Sequence, residues 1–316
     1  MAADRLSHPA TSTPIKPTGG RRANPLRRHL GQIALNFVLG IITLLFLVPL
    51  LVVISASFTD DIALTKFGYG LWPSIFSVSA YSYILAAPEQ MLRAYGVTTF
   101  VTLVGTITGV LIMSLFGYAL SRTEFTWRRP ISFLIFFTML FSGGLVPVYI
   151  LVTQYLKLRD TLLVLIIPYL FSPWYVFLMR TFFSQLPREI IDSARIDGAN
   201  EWQIYGRIVM PLSTPAIATV GLFLILQYWN DYWLSLLYIN DAKLYPVQYL
   251  LYAILRNAEF ITSNTQGSAM LGSIRVPVQT IRMAMAVIAM GPVAIAFLSL
   301  QRYFVRGLTI GGIKGE

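Results

Sequence analysis

Charged residues make up only 12% of this 316-residue chain, against 56% hydrophobic ones. Many of them gather in one stretch, residues 187–211. That stretch, PREIIDSARIDGANEWQIYGRIVMP, sets Glu189, Asp192, Asp197 and Glu201 against Arg188, Arg195 and Arg207. The chemistry this pattern offers is recognition by charge, because a largely apolar chain keeps so many ionised groups together where a partner reads them. Catalysis would need other groups. There is no cysteine, and the only histidines, His8 and His29, lie in a basic N-terminal segment. No lysine follows a glycine, so a phosphate-binding G-x-x-x-x-G-K-[ST] loop is absent, and so is H-E-x-x-H. Neither a nucleotide site nor a catalytic metal site is readable.

The elements that would present these charges follow from local rules. Pro187 suits a first helical position, with Glu189 near the positive helix end. Gly198 can end that helix in a left-handed conformation. Asn200 can cap a second helix, with Gln203 as its capping-box partner, and this helix runs to Pro211. Small Ser193, Ala194 and Ala199 flank the turn, so its backbone can enter a cleft on another protein. The plain alternative is an amphipathic loop lying on a membrane surface.

On either side of the loop lie continuous apolar runs of the length that crosses a bilayer, about 20 residues. The six are 33–54, 96–120, 131–152, 162–182, 216–239 and 278–300. The chain is therefore expected to be an all-α membrane protein with six transmembrane helices and both termini on one side. Of the 24 Lys and Arg, 16 fall on the side of the N-terminus and 6 on the other, with Arg93 and Arg282 near or inside spans. The positive-inside rule then puts both termini and the 187–211 loop in the cytoplasm. The net charge of +10 follows from this topology and from anionic headgroups, and does not argue for nucleic acid. Residues 1–31, rich in proline, glycine and basic residues, read as a disordered cytoplasmic tail. A transmembrane domain is expected over 32–303, and a cytoplasmic tail over 304–316. The outer loop 59–92 should hold short helices, and 240–277 is read as a longer outer loop.

Polar groups inside the spans are few. Gln227 and Asn230 lie three residues apart, hence on one helical face. Trp229 and Tyr232 set aromatic rings beside them. These four are candidates for a substrate path, set against an outer aromatic belt around Asp231. Gly105 and Gly109 permit close helix packing, expected within this chain. Arg282 reads as an interfacial, snorkelling arginine.

The 187–211 loop resembles the cytoplasmic coupling loop, or EAA loop, of ABC-importer permeases. Asp192-Ser193-Ala194 stands for its E-A-A, Ile196-Asp197-Gly198-Ala199 for its D-G-A part, and Ile208-Val209-Met210-Pro211 for its I-x-L-P ending. Asp192, Ser193 and Met210 depart mildly from that pattern. Five further segments resemble the carbohydrate-importer branch, of maltose and LplC type. They are Phe141-Ser142-Gly143-Gly144-Leu145-Val146-Pro147 with Leu158-Arg159-Asp160-Thr161, then Trp229-Asn230-Asp231-Tyr232-Trp233, Arg282-Met283-Ala284, and the tail from Gln301 to Gly315. The resemblance covers about 30–316.

It implies a type I ABC importer permease fold in a bacterial cytoplasmic (inner) membrane. A second homologous permease subunit would pair with this one, on two ATP-binding subunits that hold ATP and magnesium. An extracytoplasmic sugar-binding protein would deliver an oligosaccharide, and this chain would bind no cofactor. The coupling residues implied are Glu189, Asp192, Ser193, Ala194, Arg195, Asp197, Gly198, Ala199 and Glu201. The tail is expected to reach the ATPase dimer. Two alternatives stay open: an ABC permease for a non-sugar solute, and a stand-alone channel or membrane enzyme. The second leaves the loop pattern unexplained.

Overall fold

The computed structural model describes the backbone of residues 25–263 and 277–312, with side chains for 31–261 and 277–295. Regular structure among these residues is helical. Two units are distinct, residues 1–50 and 51–316.

Most of what is described in the first unit belongs to α1 (Pro25–Ser57). The helix is apolar all round and its side chains from Ile33 to Leu50 are exposed, as expected where lipid is the solvent. It begins at Pro25, so the expected tail boundary at 31 moves toward the N-terminus. Residues 1–24, the rest of that tail, lie outside the described residues.

The second unit is organised around α4 (Pro88–Ser121), an unbroken helix of 34 residues. Before it come the short helices α2 (Asp61–Phe67) and α3 (Ser79–Ile84), in the segment read as an outer loop. After it come α5 (Arg128–Leu140), α6 (Leu145–Ile150), α7 (Leu162–Ile166), α8 (Pro173–Ser184) and α9 (Arg188–Ile196). Then follow α10 (Glu201–Ile204), a π-helical turn (Tyr205–Val209), α11 (Met210–Leu212), α12 (Thr214–Trp229) and α13 (Trp233–Tyr238). The last two are α14 (Val247–Ser263) and α15 (Val278–Gly312).

Three described helices are long and apolar enough to cross a membrane alone: α1, α4 and the first part of α15. Three bent pairs raise the number to six if each is one span. The expected span 131–152 is broken by 112° between Leu140 and Leu145, where Ser142, Gly143 and Gly144 interrupt the helix. The span 162–182 bends by 50° ahead of Pro173, which cannot continue a helical hydrogen-bond ladder. The run 216–239 is two helices, parted at Asn230–Tyr232. The region read as the loop 240–277 contains α14, and α15 extends to Gly312, so the expected tail starts as helix. The polar part of that loop near 264–276 lies outside the described residues, as do 313–316.

Lipid offers no water to exclude, so close approach holds membrane helices together. A Cβ on Gly105 would sit 2.4 Å from the Tyr228 ring of α12, so only glycine lets that ring lie on α4. Gly109 meets Leu224 of the same helix, which places the expected glycine packing within this chain. One buried cluster joins α4, α8 and α12 through Met113, Met179, Val220 and Leu224. A second joins α3, α14 and α15 to the start of α4.

Candidate coupling site

Helix α9 starts after Pro187, which takes the position before the helix rather than the expected first helical one. The helix closes by two turn bonds. The Gly198 N–H donates to the Arg195 carbonyl at 3.0 Å, and the Ala199 N–H to the Ala194 carbonyl at 2.9 Å. Gly198 has φ +83°, the left-handed value this closure requires. Asn200 then caps α10: its side chain accepts from the Gln203 N–H at 2.9 Å, while the Gln203 side chain accepts from the Asn200 N–H at 3.0 Å. Helix, left-handed turn and capped second helix fall where the sequence puts them. The limb from Glu201 to Leu212 stands 80° from α12, so it runs nearly along the membrane plane if α12 crosses it.

A network ties this loop to the end of α4. The buried Tyr118 donates its hydroxyl to Glu201 Oε2 at 2.5 Å. Arg195 donates from Nε and Nη2 to Glu201 Oε1, at 3.1 and 2.9 Å. Arg195 also lies 3.7 Å from Asp192 and 3.9 Å from Glu124. The Arg122 guanidinium stands over the Tyr118 ring, 4.9 Å from its centroid. Tyr205 bonds Ser114 of α4 at 2.6 Å. Tyr118, Arg122, Glu124, Arg195 and Glu201 line a cavity of about 350 Å³ between α4 and the loop. Burial pushes the Glu201 carboxyl up, but hydrogen bonds from Tyr118 and Arg195 and the charges of Arg195 and Arg122 outweigh it and hold the carboxyl below its ordinary value. The hydrogen bond to Glu201 also holds the Arg195 proton more firmly than usual. Two coupling candidates, Arg195 and Glu201, thus sit at the centre of one network, with Asp192 at its edge.

Glu189, Asp192, Ser193, Asp197 and Gly198 are exposed, with Ala194 and Ala199 half-buried beside the turn. Ile196 and Trp202 flank the turn and are 87% and 72% exposed. Two large apolar side chains at the tip of a charged loop form a surface that a protein partner can cover. The charge pattern had not singled them out.

The substrate-path candidates separate. Trp229 donates its indole N–H to the Ala289 carbonyl of α15 at 3.1 Å, so it holds helices together. Asn230 is exposed and accepts from the Gln248 side chain at 3.3 Å. Tyr232 lies against Tyr252 at 5.3 Å between ring centroids, in a cavity of about 270 Å³ that Gln248 and Arg282 also line. Tyr249 and Tyr245 continue the ring series. Gln227 does not line that cavity. Arg282, read as a snorkelling residue, instead pairs with Glu259 at 2.6 Å and faces the tyrosines. Asp231 has partners within the chain. It accepts from the Tyr169 hydroxyl at 2.7 Å and from the Leu234 N–H at 3.2 Å, pinning the break between α12 and α13.

Asp160, in the Leu158-Arg159-Asp160-Thr161 segment, accepts from the backbone N–H groups of Asn240 and Asp241, at 2.5 and 3.1 Å. Those bonds hold its carboxyl below the ordinary range. It joins the segment before α7 to the segment after α13.

Broken helices packed around one long span, with a capped charged loop between two of them, are the frame of a multi-pass membrane permease. Residues 105–310 match the family of inner membrane components of binding-protein-dependent transport systems, and the chain belongs to it. It is 36% identical over 292 residues to the polygalacturonan/rhamnogalacturonan transport system permease protein YtcP of Bacillus subtilis (strain 168), spanning 92% of this chain and 100% of that one. Protein LplC of the same organism is 37% identical over 276 residues, covering 87% of this chain and 91% of LplC. A chain from the crystal structure of a bacterial ABC transporter that imports the acidic polysaccharide alginate superposes with TM-score 0.71 and 28% identity. The match covers 90% of this chain and all of the other. The type I ABC importer permease fold expected from the sequence is the fold present.

Proposed function

We propose that this chain is the transmembrane permease subunit of an ATP-driven importer that moves an oligosaccharide across the bacterial cytoplasmic membrane. It pairs with a second permease subunit and rests on two ATP-binding subunits. An extracytoplasmic binding protein delivers the sugar. ATP is held with magnesium and hydrolysed on the ATP-binding subunits, and this chain contributes no catalytic group. Both termini and the 187–211 loop face the cytoplasm, as the charge bias argues.

The observation that carries this reading is the coupling site. The turn at Gly198 is closed by its own backbone bonds, presents Ile196 and Trp202 outward, and is tied through Arg195 and Glu201 to Tyr118 of α4. A push on the turn therefore reaches α4, an unbroken helix of 34 residues, through side-chain bonds. Gating of one helix bundle against another around a central path is how such a push becomes alternating access. Purification of the assembled importer, followed by measurement of ATP hydrolysis with and without sugar-loaded binding protein, tests the reading. Stimulation that disappears when Gly198 is replaced by proline supports it. Stimulation that survives shows the loop to be passive.

A second reading concerns cargo charge. Two of the similar proteins are named for acidic polysaccharides, and Arg282 lines the tyrosine-rich cavity. An acidic oligosaccharide is the cargo this favours, with Gln248, Tyr232 and Tyr252 facing its hydroxyls and ring faces and Asn230 bonded beside them to Gln248. Uptake in competition with a galacturonate oligomer and a neutral oligomer of equal length distinguishes the two.

A further inference from the structure

The end of α4 that meets the coupling site also borders a second, larger cavity, of about 740 Å³. It is lined by Arg128 and Arg129 at the start of α5, by Arg180 of α8, and by the hydroxyls of Thr123, Thr126 and Ser132, with Phe125. No carboxylate lines it. Among the described residues none of the three arginines has an acidic partner, whereas Arg195 and Arg282 do. Arg180 donates to Ser132 at 3.2 Å, and the like charge of Arg128 bears on it. Three unpaired guanidinium groups beside hydroxyl donors are a set that binds a phosphate, because the anion relieves their mutual repulsion and accepts from all of them.

The surface next to the cavity says which phosphate. Phe133 and Phe136 stand one helical turn beyond Arg129 and Ser132, on the same faces of α5. Phe133 is 67% exposed and Phe136 48%, and α5 buries only Ile135. Trp127, 65% exposed, lies just before the helix, as aromatic residues do at a headgroup boundary. A charged cavity that opens onto an apolar helix face suits a headgroup with its acyl chains and not a free anion.

We propose that this cavity holds the phosphate of an anionic phospholipid, with its acyl chains along Phe133 and Phe136. Arg180 lies on the helix that leads through Pro187 into α9, so the lipid would brace the segment that carries the coupling loop. The inference lies beyond the importer reading and rests only on this chain's being embedded in a bilayer.

The test uses the whole importer in nanodiscs of phosphatidylcholine with a minor fraction of phosphatidylglycerol, and native mass spectrometry of retained lipid. Retained phosphatidylglycerol should exceed its share of the bilayer. Arg129→Gln with Arg180→Gln should lower that enrichment about thirtyfold, as expected for two basic residues at an anionic lipid surface. The exposed Arg129→Gln alone, which leaves packing untouched, should lower it by a smaller factor. Unchanged enrichment in the double variant overturns the proposal. So does loss of enrichment on adding millimolar inorganic phosphate, which would make the site one for a free anion. Unchanged enrichment with dissociation of the ATP-binding subunits would also overturn it, assigning the arginines to that protein contact.

Discussion

Removing the Tyr118 hydroxyl is the narrowest way to ask whether the coupling loop drives α4. Tyr118→Phe deletes one oxygen from a buried ring and leaves the Arg122 contact over that ring in place. A hydrogen bond to a charged group contributes about 1.5–3 kcal/mol. Here the lower end applies, because the Glu201 side chain is 53% exposed and water replaces part of what is lost. The Arg195–Glu201 pair remains, and as an exposed pair it adds only about 0.2–1 kcal/mol. A loss of about 1.5 kcal/mol lowers the population of the docked loop roughly tenfold. In proteoliposomes, the ratio of binding-protein-stimulated to unstimulated ATP hydrolysis should fall accordingly. Glu201→Gln should act through the same bond, so the double variant should be no worse than the poorer single by more than a few tenths of a kcal/mol. The pH dependence has a defined sign. Glu201 has a carboxyl held below its unfolded value, near 4.3, so its contribution is fully present above that pH and is lost as pH falls through the lower folded value. Unchanged stimulation in Tyr118→Phe, or additive effects in the double variant, would refute transmission through this contact.

Other outcomes follow from the same geometry. Gly198→Ala meets no atom within 4 Å, so its cost is the left-handed backbone alone, about 1 kcal/mol, and should appear as a partial loss of stimulated ATPase with normal membrane insertion. Gly105→Leu drives a side chain into the Tyr228 ring and should lower the melting temperature of the purified complex, at a cost of roughly 1–3 kcal/mol or more. Thiol labelling of Asn230→Cys, in a chain with no other cysteine, should change when sugar and ATP are added; constant labelling would remove Asn230 from the path.

What was legible in the sequence is what is decided within a few residues. The bonds of Gly198, Asn200 and Gln203 that shape the turn reach neighbours no more than four positions away, so its form is open to inspection in the sequence. The apolar runs likewise announced where the chain crosses lipid. The breaks within those runs depend on distant groups. Asp231 pins the gap after α12 only because Tyr169, 62 residues earlier, donates to it. Tyr118 reaches Glu201 across 83 positions and leaves no local sign as one aromatic residue among many in an apolar helix. Glu124 was nearer to being readable, as the one acid in a short basic loop. Arg282 pairs with Glu259, 23 positions earlier, so neither residue marks the other locally.

The central claim is that the 187–211 turn docks on an ATP-binding subunit. Ser193→Cys, an exposed and nearly isosteric change, gives the chain its only thiol. Cross-linking of that thiol in the assembled importer, with and without ATP, measures the claim directly. The account predicts a product joining this chain to an ATP-binding subunit, with a yield that changes when ATP is added. Cross-links to lipid-side reagents alone, with no ATP-binding subunit captured in either state, would contradict it.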